Sequence, residues 1–170
     1  MNIKQASFVA SLTIAASAAF ATVGASPAAA EGPFKWLNAY TGKCLEVENS
    51  SHANGARVQQ WACNGQAGSA WMPAGTGGGY FYIVNVNSGK CLEIENSSGS
   101  DGARAQQWDC NGQVGARWIQ KSAGSDHDVL VNWNSGKVLE IENSSSSNGA
   151  RAQQWSNHGQ GGAWWNSRHF

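Results

Sequence analysis

The stretch "GKCLEVENSSHANGARVQQWACNGQ", Gly42 to Gln66, decides the fold because the chain repeats it. "GKCLEIENSSGSDGARAQQWDCNGQ" begins at Gly89, and "GKVLEIENSSSSNGARAQQWSNHGQ" begins at Gly136. The period is constant. Glu46, Glu93 and Glu140 lie 47 residues apart, as do Trp61, Trp108 and Trp155, and again Trp71, Trp118 and Trp165. Repetition at this length means a symmetric or stacked architecture, in which each unit buries its apolar face against its neighbours. Repeats are expected at about 34–80, 81–127 and 128–170.

Working outward, each unit reads as short strands. "WLNAYTGKCLEV", "YIVNVNSGKCLEI" and "LVNWNSGKVLEI" place two apolar runs around a Thr-Gly or Ser-Gly turn, which is a hairpin signal. Strand side chains alternate, so Leu45 and Val47 are expected on one face and Glu46 and Glu48 on the other. "SSHANG" is turn-rich. "ARVQQWAC" is a further strand with Val58 and Gln60 opposite Gln59 and Trp61, and Trp71 opens the last strand of the unit. About four strands per unit give an all-β protein of about twelve strands. Propellers generally use four to eight blades, and a solenoid needs capping ends that are not visible. A three-unit barrel closed by hairpins, the β-trefoil, needs three units of about this length, a match that rests on what is known of folds rather than on the spacing alone.

Residues 1–30 stand apart. Lys4 precedes a mostly apolar run from Phe8 to Val23, and Ala28 to Ala30 offers an A-x-A cleavage site. This is the pattern of a secretory signal peptide, which makes residues 31–170 a single secreted, extracellular domain. Serines and threonines interrupt the run, which argues against a membrane anchor, and no later stretch is long and apolar enough to span a bilayer. The whole chain carries 11 basic and 11 acidic side chains. Without Lys4, the one charged residue in the first thirty, the balance is −1. Such a chain without a basic cluster is a poor binder of nucleic acid or anionic membrane, and an uncharged partner is expected.

The four cysteines are Cys44, Cys63, Cys91 and Cys110. Within each of the first two units they are 19 apart, and the third unit has Val138 and Asn157 in their places. A unit keeps both or neither, so the expected disulfides are Cys44–Cys63 and Cys91–Cys110. No Cys/His spacing suits a metal, and no cofactor is expected.

"SGKCLEIENSSGSDGARAQQWDCNGQVGARW" resembles one repeat of the ricin-B-type lectins, and the resemblance covers all three units. It implies a β-trefoil with up to three shallow sugar pockets. It also implies an acidic sugar ligand at Glu46, Glu93 and Glu140, a Gln ligand at Gln59, Gln106 and Gln153, and a stacking aromatic at Trp61, Trp108 and Trp155. The chemistry suits these types: a pyranose has an apolar C–H face that fits an aromatic plane, and its hydroxyls suit a carboxylate. The sequence departs from the family pattern twice. Glu replaces the usual Asp, and the Asn of the family's Asn-Gln-x-Trp is replaced by Gly68, Gly115 and Gly162. Asn64 and Gln66, Asn111 and Gln113, and Asn157, His158 and Gln160 are the expected substitutes.

Blander roles stand beside these. Trp71, Trp118 and Trp165 are expected in the core. Arg57, Arg104 and Arg151 recur in every unit as possible partners of Glu46 and its copies, or of Glu48, Glu95 and Glu142. "NSS" at Asn49, Asn96 and Asn143 matches a glycosylation sequon but reads as turn chemistry. Glu46 and Glu48, about 7 Å apart on one strand face, fall near the spacing of an inverting glycosidase. Catalytic centres are normally single, however, and this pair occurs three times, so no enzyme is expected. "SDHD", Ser125 to Asp128, reads as a solvated loop. The reading is a monomeric, non-catalytic carbohydrate-binding protein. The alternative is a trefoil scaffold with altered sugar sites that binds a protein, as an inhibitor or a subunit of a secreted assembly.

Overall fold

A computed structural model describes residues 32–124 and 126–169. The expected signal peptide lies outside the described residues. Twelve strands run in chain order: β1 Phe34–Asn38, β2 Cys44–Val47, β3 Val58–Trp61, β4 Trp71–Gly75, β5 Phe81–Asn85, β6 Cys91–Ile94, β7 Ala105–Trp108, β8 Trp118–Ser122, β9 Asp128–Asn132, β10 Val138–Ile141, β11 Ala152–Trp155 and β12 Trp165–His169.

Six of them close a ring. β1 pairs with β4, β4 with β5, β5 with β8, β8 with β9, β9 with β12, and β12 returns to β1, all antiparallel. Closure leaves this barrel without an open edge. The hairpins β2–β3, β6–β7 and β10–β11 cap one end, each with four paired residues. Isolated bridges between Arg57 and Gln106, Arg104 and Gln153, and Gln59 and Arg151 link the three hairpins in a cycle. A six-stranded barrel capped by three hairpins with threefold pseudosymmetry is the β-trefoil.

The repeat explains the core. Leu45, Leu92 and Leu139 are buried at equivalent positions, as are Val47, Ile94 and Ile141. Trp71, Trp118 and Trp165 are fully buried, and their indole Nε1 atoms donate to the carbonyls of Leu45, Leu92 and Leu139 at 2.9–3.0 Å. A buried indole needs such an acceptor. All three tryptophans are core residues, as the sequence predicts.

The paired glutamines divide the labour. The second of each pair, Gln60, Gln107 or Gln154, is fully buried and ties units together. Gln60 Nε2 donates to the Ser145 and Ser147 carbonyls of the third unit, and its Oε1 accepts from Thr41 Oγ1. Gln107 reaches Ser51 and Ala53, and Gln154 reaches Ser98 and Ser100, in the same way. Both expected disulfides are present, Cys44–Cys63 and Cys91–Cys110. In the third unit Val138 is buried where a half-cystine stands in the others.

One strand-level expectation fails. Glu48 does not continue the face of Glu46. β2 ends at Val47, and Glu48–Ser50 form a 3-10 turn in which Asn49 and Ser50 have φ of 54° and 49°. The left-handed region is rare for non-glycine residues and is best tolerated by Asn. The same turn recurs at Asn96 and Asn143. "ENSS" is therefore a chain reversal that takes Glu48, Glu95 and Glu142 off the strand.

Candidate functional site

Each site begins at a strand pair. Glu46 lies opposite Gln59, Glu93 opposite Gln106, and Glu140 opposite Gln153. All six side chains are buried. Gln59 Nε2 donates to Glu46 Oε1 at 2.9 Å, and the equivalents measure 2.7 and 2.9 Å. The orientation of the amide has a cause. Arg57 Nη2 donates to Gln59 Oε1 at 2.7 Å, and an arginine accepts nothing, so the amide oxygen must face it and the nitrogen must face the carboxylate. Arg151 orients Gln153 in the same way.

The arginines do not pair with Glu46 and its copies. Arg57 bonds Glu48 at 2.8 Å, Arg151 bonds Glu142 at 3.0 Å, and Arg104 chelates Glu95, with Nε to Oε2 at 3.0 Å. The turn at Asn49 swings Glu48 back toward Arg57. These pairs are exposed or partly exposed, and solvent screening leaves such pairs little weight in stability. The use of Arg57 and Arg151 is positional, through the glutamine. The same displacement removes the side-by-side carboxylates on which a glycosidase reading rested. Burial pushes the Glu46 carboxyl above the usual range, the Gln59 hydrogen bond partly offsets this, and the Glu48 charge adds to it. Glu95 is held below the range by its hydrogen bond from Arg104.

The tryptophan after each glutamine pair is only partly covered, with Trp108 and Trp155 each 38% exposed. Each ring is backed by the neighbouring unit. A Cβ on Gly149 would lie 3.6 Å from the Trp61 ring, one on Gly55 3.7 Å from Trp108, and one on Gly102 3.6 Å from Trp155. These glycines have φ of about 80°, which the Asn-Gly and Asp-Gly turns supply. One face of each indole thus rests on a loop.

In the second unit these parts surround one pocket of about 200 Å³. Glu93, Gln106, Trp108, Asn111 and Gln113 line it, together with Asn96 and Ser97. The structure therefore brings the expected carboxylate, amide and aromatic together with the expected substitutes Asn111 and Gln113. In the first unit Gln66 Oε1 accepts from Asn64 N at 3.3 Å. In the third, Gln160 Nε2 donates to Glu140 Oε2 at 2.7 Å, and its Oε1 accepts from His158 N. Gln113 instead donates to the Asp109 carbonyl. Asn157 is exposed at the third unit's former cystine position, and its Oδ1 accepts from Gly159 N; His158 occupies the place of Asn64 and Asn111.

Asn96 and Ser97 are pocket residues that the sequence reading assigned only to a turn. They also account for the missing Asn. A Cβ on Gly115 would sit 2.8 Å from both the Ile94 carbonyl and Ser97 Cα. Ser97 Oγ meanwhile accepts from Gly115 N at 2.9 Å. The left-handed turn occupies the space a side chain at 115 would need, and Gly68 and Gly162 are confined in the same way. The clue in the sequence was the joint recurrence of "ENS" and this glycine.

Of the "SDHD" stretch, Ser125 lies outside the described residues, and the other three are not uniformly solvated. The His127 ring stacks 4.6 Å from Trp164, while Asp126 is exposed. Among the described residues no cluster of three or more His, Cys, Asp or Glu has the geometry to hold a metal.

Comparison with known proteins agrees with the fold. The family model described as "Ricin-type beta-trefoil lectin domain-like" matches residues 22–80 and 73–155. ThreeFoil, a designed threefold-symmetric protein, is 36% identical over 82% of this chain and all of its own, with a TM-score of 0.80. The exo-β-1,3-galactanase 1,3Gal43A of Clostridium thermocellum is 32% identical over 80% of this chain, with a TM-score of 0.77, and the match spans 30% of that enzyme's chain. The Macrolepiota procera ricin B-like lectin, solved in complex with lactose, shares the fold at 14% identity and a TM-score of 0.70, over 84% of this chain and 98% of its own. No curated protein matches significantly.

Proposed function

The chain belongs to the ricin-type β-trefoil lectin domain-like family, and on that premise we propose that it is a secreted, non-catalytic carbohydrate-binding protein with three sugar pockets. The observation that carries the reading is the convergence of Glu93, Gln106 and Trp108 on one pocket, with Asn96, Asn111 and Gln113 around them. The outer face of the indole stacks on the C–H face of a pyranose ring. The carboxylate, held in place by glutamine, accepts from vicinal hydroxyls. The amides of Asn111 and Gln113 replace the family's Asn. Each pocket is shallow and weak alone, and three on one rigid body raise avidity for a polymer of matching spacing. The test is a glycan array and a polysaccharide pull-down with the protein and with Trp61→Ala, Trp108→Ala and Trp155→Ala. Stepwise loss of binding supports the reading, and a folded protein that retains no glycan overturns it.

A second reading, a protein partner, draws on one observation. Trp133 is 46% exposed and packs 5.5 Å from Tyr80, whose ring carries the Arg117 guanidinium at 4.9 Å. Val86 and Ala39 stand where Trp133 does in the other units. This patch breaks the threefold pattern, as a single protein contact would. A pull-down that captures one stoichiometric protein, and loses it with Trp133→Ala, would favour this reading.

A further inference from the structure

We propose that Tyr40, seated on Gly161, adds a second sugar-stacking surface to the third unit's pocket alone, so that this pocket takes two or more rings of a neutral pyranose oligosaccharide. The inference rests on the carbohydrate reading above and deepens it.

Tyr40 holds the position of Asn87 and Asn134, 47 and 94 residues on. In those copies the hairpin turn leans on the pocket turn of the preceding unit. Asn87 Nδ2 donates to the Ser50 carbonyl at 2.9 Å, and Asn134 Nδ2 donates to the Ser97 carbonyl at 3.0 Å. By the cyclic order of the units, Tyr40 faces the third. A tyrosine has no amide to donate there. Its ring lies instead against Gly161, where an added Cβ would stand 3.0–3.2 Å from Tyr40 Cγ, Cδ2 and Cβ.

The companions of Gly161 are Ala67 and Val114. Where the turn carries Asn, its neighbour keeps a side chain; where it carries Tyr, the neighbour has none. The exchange opens room for a ring, yet the ring is not buried, because Tyr40 remains 62% exposed. Core filling does not account for an aromatic left mostly in water on a backbone that gave up its Cβ. A sugar platform does: one side is fixed by backbone, the other is open, and only two side-chain torsions need be ordered on binding.

The surface adjoins the pocket through one residue. Gln160 precedes Gly161, and its Nε2 donates to the pocket carboxylate Glu140 at 2.7 Å. A saccharide bound at Glu140 and Trp155 therefore extends along Gln160 toward Tyr40. The first and second pockets have Asn87 and Asn134 at this margin and offer no second ring there.

The experiment isolates the third pocket in a Trp61→Ala/Trp108→Ala background. Calorimetry compares galactose with β-1,3-galactotriose, and xylose with xylotriose. In whichever series binds, the trisaccharide is expected to bind roughly five- to tenfold tighter than its monosaccharide, from one added stacking contact. Tyr40→Asn and Gly161→Ala, both borrowed from sibling units and so compatible with the fold, should each collapse that ratio. An unchanged ratio in both variants, with Trp155→Ala still abolishing binding, overturns the subsite and leaves the carbohydrate reading standing. No binding of any probe in this background, while the unsubstituted protein retains a glycan in the array, overturns the subsite alone; no retention by either folded protein overturns both.

Discussion

Gln59 Nε2 donates to Glu46 Oε1 at 2.9 Å, and this bond has only one possible polarity because Arg57 already claims the other end of the amide. A buried carboxylate that would otherwise be costly is thereby given a partner and kept in one orientation. Substituting Glu46→Gln should separate the two roles of the residue. The neutral amide still accepts from Gln59 and avoids the desolvation of a charge, so the thermal midpoint should hold or rise. Sugar affinity at the first pocket should fall roughly tenfold, because charge-assisted acceptors become neutral ones. Calorimetric binding beside thermal unfolding checks both.

Acidification should weaken the same pocket early. The Glu46 carboxyl is raised above the usual range by burial, so it protonates at higher pH than a free glutamate and then loses acceptor capacity toward hydroxyls. Its effect on stability has the opposite sign. A carboxyl with a raised folded pKa favours the folded state below the unfolded pKa, and that contribution is lost as pH rises through the folded value. Glu95 is held low by Arg104, so its contribution is present above the unfolded pKa and disappears as pH falls through the folded one. In a Trp108→Ala/Trp155→Ala background, affinity should therefore fall as pH is lowered, and the fall should begin at a higher pH than that at which free glutamate titrates.

The two classes of tryptophan should respond oppositely. Trp108→Ala should leave the midpoint nearly unchanged and cost binding, since its ring is part-exposed. Trp118→Ala should destabilise by about 3–5 kcal/mol, because it removes a fully buried ring and leaves the Leu92 carbonyl without its indole donor. Urea unfolding of both variants distinguishes them.

Gly115→Asn, which restores the family's side chain at that position, should damage the protein rather than improve binding. The new Cβ meets backbone atoms of Ile94 and Ser97 at 2.8 Å, and backbone cannot step aside as a flexible side chain would. A loss of about 1–3 kcal/mol is expected, read as a shift in denaturant midpoint.

Reduction should affect the units unequally. Cys44–Cys63 and Cys91–Cys110 each span a sequence separation of 19, for which loop-closure entropy gives about 3 kcal/mol apiece. The third unit has no cystine to lose. Dithiothreitol should lower the melting temperature, and Cys44→Ala/Cys63→Ala should reproduce part of that drop. If calorimetry shows no change, the cystines contribute nothing to stability.

Much of this was legible because identical segments placed 47 apart constrain one another. Leu45, Trp71 and their copies could be assigned to the core without knowing any contact. The loss of both cysteines together in the third unit was enough to pair the remaining four. Glu48, one of the two partners expected for Arg57, is the one it bonds, but the way Glu48 reaches it was less legible. Alternation placed Glu46 and Glu48 on one face, and nothing in "LEVEN" announces that Asn49 turns left-handed and carries Glu48 off the strand. His127 was missed for a similar reason. It is partly covered by Trp164, far away in the chain, and a polar run does not reveal that contact.

The sequence by itself determined the period, the strand content, the within-unit disulfides and the chemical types at each pocket, because these follow from local pattern and repetition. Only the tertiary structure decided which side chains meet across units. Gly149 lies behind Trp61, Gln60 reaches Ser145, and Tyr40 rests on Gly161. Each of these contacts joins the first unit to the third. They exist because the barrel closes, and closure is a property of three units together that no single repeat contains.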